Sequence, residues 1–494
     1  MGLEHPDPAA GLPHLVPAFG SDLSQGIGVG RKRQSDESVL PDPQQDPVHE
    51  KEFQKEPSVC ILPFLYFFCA AKIGSEVYDK GTVPVFKIRY KGYVLESRFV
   101  HLFTRFLKRH IKQTMPENKK IRVLQSIRQG KIGGGESHLL NLVENIDRGQ
   151  FDPVVLSFTD GPMISTLSAM DIPTHIIHTE KPFDFTKWKK VKKLLVEEKV
   201  ELIHAHGTRA NSNVLWAARS LGIPVIYTIH GWSFHQDQGP LLHKLRVLGE
   251  KYLTSRTDVN ISVSQSNQNA GKKLIPGFRS RIINYGIDQK KFNSEGSFPD
   301  VRKELGIPAE KTLILFIARF TSHKQPLAMI EAFAKAVKVN PSLHLLLVGD
   351  GDQKEEGLRL IEKYGIARDV TVQSFRQDVP AVLAAADIFV LPSLWEGLPI
   401  GLLEAMTMAK PIIASNVDGT CDVIEPGVNG MLVETGNLVD NLVEALAKLG
   451  RDSELQAKFS VNALETVREK FTVSLMTRRI EDLYFEVLNK QRLN

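Results

Sequence analysis

Two glutamates eight positions apart carry the strongest chemical signal in this chain. Glu396 and Glu404 fall in the run Ser393-Leu394-Trp395-Glu396-Gly397-Leu398-Pro399-Ile400-Gly401-Leu402-Leu403-Glu404-Ala405. The first sits in a Gly/Pro loop and the second inside the apolar helix that follows. Two turns of helix take up about seven residues, so this spacing can aim both carboxylates at one cleft. A carboxylate accepts hydrogen bonds and suits the hydroxyls of a ribose or a sugar. A second group, Arg319 and Lys324 in Ala318-Arg319-Phe320-Thr321-Ser322-His323-Lys324, follows an apolar strand-like run. At the carboxyl end of a strand these two can reach a diphosphate, Arg as a planar fork of donors and Lys as a compact charge. A third group is Gly133-Gly134-Gly135-Glu136, placed between a strand pattern and a helix pattern. Glycines there admit a ligand close to the backbone, and a helix N-terminus favours an anion. Taken alone, the triple glycine is equally a turn needed for packing; the alternative for the two cations is a solvated surface, against which their place just after an apolar strand favours function.

Together these groups resemble glycosyltransferase family 4. The resemblance rests on the Glu-x7-Glu element, the Gly-Gly-x-Glu loop and the Arg…Lys loop occurring in the family's order, over about residues 119–494. Ile203-His204-Ala205-His206-Gly207 and Tyr227-Thr228-Ile229-His230-Gly231 also match strand ends of the family's first half. The resemblance implies the GT-B fold, two Rossmann-like domains facing each other across a cleft, and a retaining, metal-independent transfer from a nucleotide diphosphate sugar. It implies that Glu404 binds the donor ribose and Glu396 a hydroxyl of the transferred sugar. Backbone at Gly397, Leu398 and Pro399 supports sugar and diphosphate. Arg319 and Lys324 neutralise the leaving group, and Gly134 and Gly135 close over it. His230 lies beside the sugar, and Phe375 and Arg376 are expected near the base. The donor is expected to be UDP- or GDP-linked, and the acceptor a glycan or lipid-linked molecule of cell-envelope polysaccharide synthesis, with no cofactor. Ala318, Gln325 and Ser374 stand where the family often has glycine, and His204 and His206 are equally strand-end structural histidines.

Parallel β/α alternation is the pattern that must position these residues. Strand patterns occur at 121–125, 154–158, 174–177, 201–205, 224–229 and 260–263. After a break at Asn284-Tyr285-Gly286-Ile287-Asp288 the alternation restarts, with strands expected at 313–317, 344–348, 370–372, 388–391 and 411–414. This predicts a first, acceptor domain over 119–290 and a second, donor domain over 291–470. A terminal helix over 471–494 is expected to cross back. Ligands of such open sheets sit at the carboxyl ends of the strands.

Residues 1–118 are expected to form a largely disordered or loosely packed extension, with a basic amphipathic helix at 98–112. Its contrast with the rest makes residues 1–114 dispensable in this reading, with Met115 as an alternative start or the extension as a membrane anchor. The apolar run 59–71 is shorter than the roughly 20 residues a spanning helix needs. Three cysteines without ligand spacing point to a reducing, cytoplasmic setting. The net charge of +5, with no basic–aromatic stripe, argues against nucleic acid. Lys187-Trp188-Lys189-Lys190-Val191-Lys192-Lys193-Leu194-Leu195 suggests peripheral contact with an anionic membrane at its inner face, against the alternative of a solvated helix. Competing readings are a GT-B-like epimerase or phosphorylase, an inactive sugar-nucleotide binding protein, and a nicotinamide dehydrogenase. The last lacks Gly-x-Gly-x-x-Gly spacing.

Overall fold

A computed structural model describes residues 88–90, 93–95, 119–131, 133–235 and 238–493. The expected disorder of the extension and the helix at 98–112 lie outside these residues. Within the segment 1–97, strands β1 (Ile88–Tyr90) and β2 (Tyr93–Leu95) pair antiparallel as a short hairpin.

The remaining strands build two parallel sheets. The first holds β3 (Ile121–Ile127), β4 (Phe151–Ser157), β5 (Thr174–Ile176), β6 (Leu202–His206), β7 (Val225–Ile229), β8 (Val259–Ser262) and β9 (Arg281–Ile282), in the order β5-β4-β3-β6-β7-β8-β9. The second holds β10 (Thr312–Ile317), β11 (Leu343–Val348), β12 (Val370–Gln373), β13 (Ile388–Leu391), β14 (Ile412–Ser415) and β15 (Met431–Val433), in the order β12-β11-β10-β13-β14-β15. Central strands such as β6, β11 and β13 are buried along their whole length. Helices covering both faces of a parallel sheet require this, and it explains continuous apolar runs without alternation. Each sheet reverses its winding once, between β3 and β6 and between β10 and β13. Crevices at such switch points are where open α/β sheets bind ligands.

The helices that matter for the site are α1 (Gly134–Asn145), α2 (Phe185–Glu197), α3 (Thr208–Leu221) and α4 (Pro240–Arg256) in the first domain. The second domain supplies α5 (Pro326–Val339), α6 (Ile400–Thr407) and α7 (Ser453–Lys470). Helix α8 (Val473–Leu493) returns to the first sheet, where Met476, Ile480, Leu483 and Tyr484 share a core with Val123, Leu142, Phe151 and Ile226. Its predecessor α7 stays with the second domain through Phe459, Ala463 and Val467. The chain therefore crosses between domains twice, and the crossings touch. Ile287 N–H donates to Phe471 O at 2.8 Å and Val473 N–H to Ile287 O at 3.1 Å. A Cβ on Gly286 would lie 2.5 Å from Thr472 O, so the crossing requires glycine there.

One sequence expectation changes here. In α2, Val191, Leu194 and Leu195 are buried in the core, and Trp188 stacks on Trp216 at 5.4 Å between ring centres. The middle of its apolar side faces inward, so what this helix leaves exposed is its lysines with Phe185 and Val196 near its ends.

Candidate active site

A cleft of about 2790 Å³ runs between the domains, lined by the loops that leave the carboxyl ends of the switch-point strands. From the first domain come the loop after β3, with Gly133, Gly134 and Gly135, and the turns holding His206 and His230. From the second come Arg319, Lys324, Glu396, Gly397, Leu398, Pro399 and Glu404. Phe375 and Arg376 line it too. All the residues expected at the site thus share one cavity.

The glycine loop opens α1 at its N-terminus, with Gly133 as a cap that has no side chain. A Cβ on Gly134 would sit 3.8 Å from Ile400 Cδ1 of the opposite domain, and one on Gly135 would press on His230 at 3.3 Å. Larger residues would therefore narrow the cleft. Glu136 behind the loop is buried and 3.4 Å from Arg128 Nε, and burial raises its pKa.

In the second domain the three charged groups differ. Arg319 is exposed and has no ion-pair or side-chain hydrogen-bond partner among the described residues. Lys324 is ion-paired with Glu396, both largely shielded. Glu404 projects from α6 with no hydrogen-bond partner for its carboxyl among the described residues, and burial pushes its pKa up to about 7 against the opposing charge of Lys291. An acceptor group held without a partner beside a cleft is poised for a ligand's hydroxyls. Gln325, after the turn Ser322–Lys324, has φ 56° and ψ 45°. This left-handed conformation is the physical reason for a glycine preference at that point.

The loop carrying Glu396 is fixed against the first domain. Ser264 Oγ donates to Gly397 O at 2.8 Å, and Ser266 N–H and Oγ–H donate to Asp422 at 2.7 and 3.0 Å. A Cβ on Gly397 would run into the carbonyl oxygen of His230. Leu398 is buried in the core and Pro399 caps α6.

His230 belongs to a buried chain of hydrogen bonds. Its Nδ1 meets Tyr285 OH at 2.6 Å and its Nε2 meets His206 Nδ1 at 3.0 Å. His206 Nε2 meets Gln125 Oε1 at 2.9 Å, and Gln125 Nε2 donates to Tyr484 OH at 2.9 Å. Tyr484 OH then meets His204 Nδ1 at 2.6 Å, and His204 Nε2 meets Thr228 Oγ1 at 2.7 Å. Burial pushes the pKa of each histidine well below its usual range, so the rings are neutral. The amide of Gln125 then sets the direction. Its carbonyl needs a proton on His206 Nε2, which leaves His206 Nδ1 to accept from His230 Nε2–H. His230 Nδ1 in turn accepts from Tyr285 O–H. The expected His230 is thus in the cleft wall, with both ring nitrogens engaged within the protein. His138 stands behind it, 5.2 Å between ring centres, held at about 3 by burial.

Arg376 is held by Glu304 at 2.6 and 3.0 Å and by Asp378 at 2.9 and 2.6 Å, which occupies its guanidinium. Phe375 is exposed in the cleft, and its N–H donates to Asp350 at 2.7 Å. Sequence reasoning missed Tyr285, Gln125 and Tyr484, and also a three-ring stack. Trp395 lies between His323 and His235, at 4.2 and 4.1 Å, and so joins the two domains. Only the Trp beside Glu396 offered a hint of it.

Two family models match in succession, one described as Glycosyltransferase Family 4 over residues 132–291 and one as Glycosyl transferases group 1 over 297–466. The UDP-Gal:alpha-D-GlcNAc-diphosphoundecaprenol alpha-1,3-galactosyltransferase of Escherichia coli is 27% identical over 393 residues, covering 76% of this chain and 99% of the relative. The N-acetyl-alpha-D-glucosaminyl L-malate synthase of Bacillus anthracis is 26% identical over 315 residues, or 63% and 81% of the two chains. Among solved structures, HepE of Anabaena in complex with UDP and glucose has a TM-score of 0.66 at 24% identity, covering 74% of this chain and 100% of that one. WaaG, a glycosyltransferase involved in lipopolysaccharide biosynthesis, has a TM-score of 0.59 at 20% identity, covering 73% and 98%. At these identities the structures speak for the fold, which is GT-B.

Proposed function

The chain belongs to glycosyltransferase family 4, and from that premise we propose that it transfers a sugar from a UDP- or GDP-linked donor, with retention of configuration and without a metal ion. The acceptor in this reading is a glycan or a lipid-linked molecule of cell-envelope polysaccharide synthesis, reached from the cytoplasmic side. The observation that carries the reading is that Arg319 and Glu404, which have no counter-ion and no hydrogen-bond partner respectively among the described residues, line one cleft with the Lys324–Glu396 pair.

Each residue then has a task. The bond from the sugar carbon to the β-phosphate oxygen breaks, and a bond from that carbon to the acceptor oxygen forms on the same face. Negative charge grows on the diphosphate, where Arg319, Lys324 and the N–H groups at Gly134 and Gly135 receive it. Fixed charge and dipoles are most effective where charge develops in a water-poor cleft. Lys324 turns from Glu396 to the phosphate, which frees Glu396 to accept a sugar hydroxyl. The acceptor proton passes to the departing phosphate. Glu404 takes the ribose hydroxyls, and the backbone at Gly397, Leu398 and Pro399 and the exposed Phe375 complete the donor wall. His230, with both nitrogens occupied, positions that wall and takes no proton. Nucleoside diphosphate release is the test, using a panel of sugar nucleotides with a polyprenyl diphosphate-linked acceptor and excess chelator. One donor should turn over at an unchanged rate, and NMR of its product should give the donor's anomeric configuration. Inversion, or loss of turnover in chelator, would overturn the assignment.

A further inference from the structure

Two guanidinium groups leave the first sheet side by side at its switch point. Ile127 ends β3 opposite His206, the last residue of β6. Arg128 follows the first of these strands, Arg209 lies in the first turn of α3 after the second, and both line the cleft. Arg209 Nη1 donates to the carbonyl oxygen of Arg128 at 3.5 Å, which brings its guanidinium onto the Arg128 backbone. Among the described residues Arg128 has a single ion-pair contact, Nε to Glu136 at 3.4 Å, and Arg209 has none. Partial burial, and then the charge of Arg128, holds the Arg209 guanidinium below its usual range, and exposed Glu180 offsets this only in part. A surface arginine ordinarily turns to water. Two that stay together in a crevice at the carboxyl ends of parallel strands are placed for an anion that bridges them.

The place of the pair selects the anion. The charge of Arg128 is felt at His230 and Tyr285 in the cleft wall, and at Glu136, which also feels Arg319 from the second domain. Glu136 is a weakened counter-ion, because burial raises its pKa. Cations therefore stand on both sides of the cleft. In the reading above, Arg319 and Lys324 of the second domain take the donor diphosphate. Arg128 and Arg209 belong to the other domain and are left for a second ligand. Two planar forks of donors suit the several oxygens of a phosphoryl group. We propose that Arg128 and Arg209 form a second oxyanion site, which holds a phosphoryl group of the acceptor beside the His230 wall. That the phosphoryl group belongs to an acceptor rests on the function proposed above, whereas the anion site does not.

Calorimetric titration of the full chain with inorganic pyrophosphate tests the site without donor or transfer. The wild type should bind two pyrophosphates. Arg128→Gln with Arg209→Gln should weaken one of them by more than about a hundredfold and spare the other, which Arg319→Gln with Lys324→Gln should remove instead. Both first-domain arginines are at least partly exposed, so circular dichroism should match the wild type. Should the double variant fold poorly, Arg209→Gln alone should still weaken the same pyrophosphate by about tenfold. Geranyl diphosphate and glucose 1-phosphate, competing for this site, separate a lipid-linked diphosphate from a sugar phosphate as its source. A second pyrophosphate that binds equally to the Arg128 and Arg209 variants overturns the proposal. So does a single wild-type site lost with Arg319 and Lys324, or equally tight binding of malonate, which would assign the pair to a carboxylate. A single site lost with Arg128 and Arg209 would uphold the proposal and count against the donor role of Arg319 and Lys324.

Discussion

Replacing Glu404 by glutamine should separate two opposite effects of one carboxyl group. In the free protein burial holds this group near 7, against an ordinary value near 4.5. Donor binding in our reading places ribose hydroxyls on its ionised form, which must therefore lose a proton whenever binding occurs below neutrality. Each pH unit below the pKa then weakens binding about tenfold, so affinity should fall roughly 25-fold between about pH 7.5 and about pH 5.5. Stability runs the other way. A pKa raised by folding makes a contribution that is complete below about 4.5 and is lost as pH rises through about 7. The glutamine side chain of Glu404→Gln stays uncharged throughout, so the variant's donor affinity should be flat with pH and about tenfold weaker than wild type at neutrality. Its melting temperature relative to wild type should rise with alkalinity. Calorimetric titration with nucleoside diphosphate across this range, beside melting curves of the free proteins, measures both. A flat affinity profile for the wild type, or an equal slope in the variant, would refute the assignment of Glu404 to the ribose.

Tyr484→Phe should leave Gln125 Nε2 and His204 Nδ1 without partners, at a cost of about 1–3 kcal/mol for each buried group. Denaturant unfolding measures the loss, and histidine 15N shifts should show the His230 tautomer mixing; an unchanged spectrum would remove the relay as its cause. Gln325→Gly removes a left-handed backbone that costs a side chain about 1–2 kcal/mol, so stability should rise by up to about 1 kcal/mol after glycine's own entropy. A lower denaturation midpoint would mean that the Gln325 Nε2 bond to Ser322 O at 2.6 Å outweighs the strain.

The parallel strands could be read from the sequence because burial on both faces turns β10, β11 and β13 into unbroken apolar runs. Strand β9, two residues long, and the three-residue β15 have no room for a pattern and went unread. Glu404 on an apolar helix and Arg319 after an apolar strand stand out in the sequence because they contradict their surroundings, as conflicts at functional sites do, and both line the cleft. Partners far apart in the chain had no such signature. Gln125 and Tyr484 lie 359 positions apart, and only the return of α8 to the first sheet brings them together.

Helices α2 and α4 show a different limit. Periodicity reports that a helix has two faces but not which one the fold turns inward. In α2 the leucines took the core and left the lysines outside. In α4 the hydroxyls of Thr208, Ser233 and Tyr227 claimed Glu250, and four leucines were left in solvent. A buried carboxyl with three donors costs far less than one without, so Glu250 and the core residue Leu253 beside it set the rotation of α4 together. The network around Glu250 therefore links stability to function. Glu250→Leu would take the shared acceptor from the hydroxyls of Thr208, Ser233 and Tyr227, so stability should fall by about 1–3 kcal/mol in denaturant unfolding and the wall of the cleft that Leu242 and Leu245 provide should loosen.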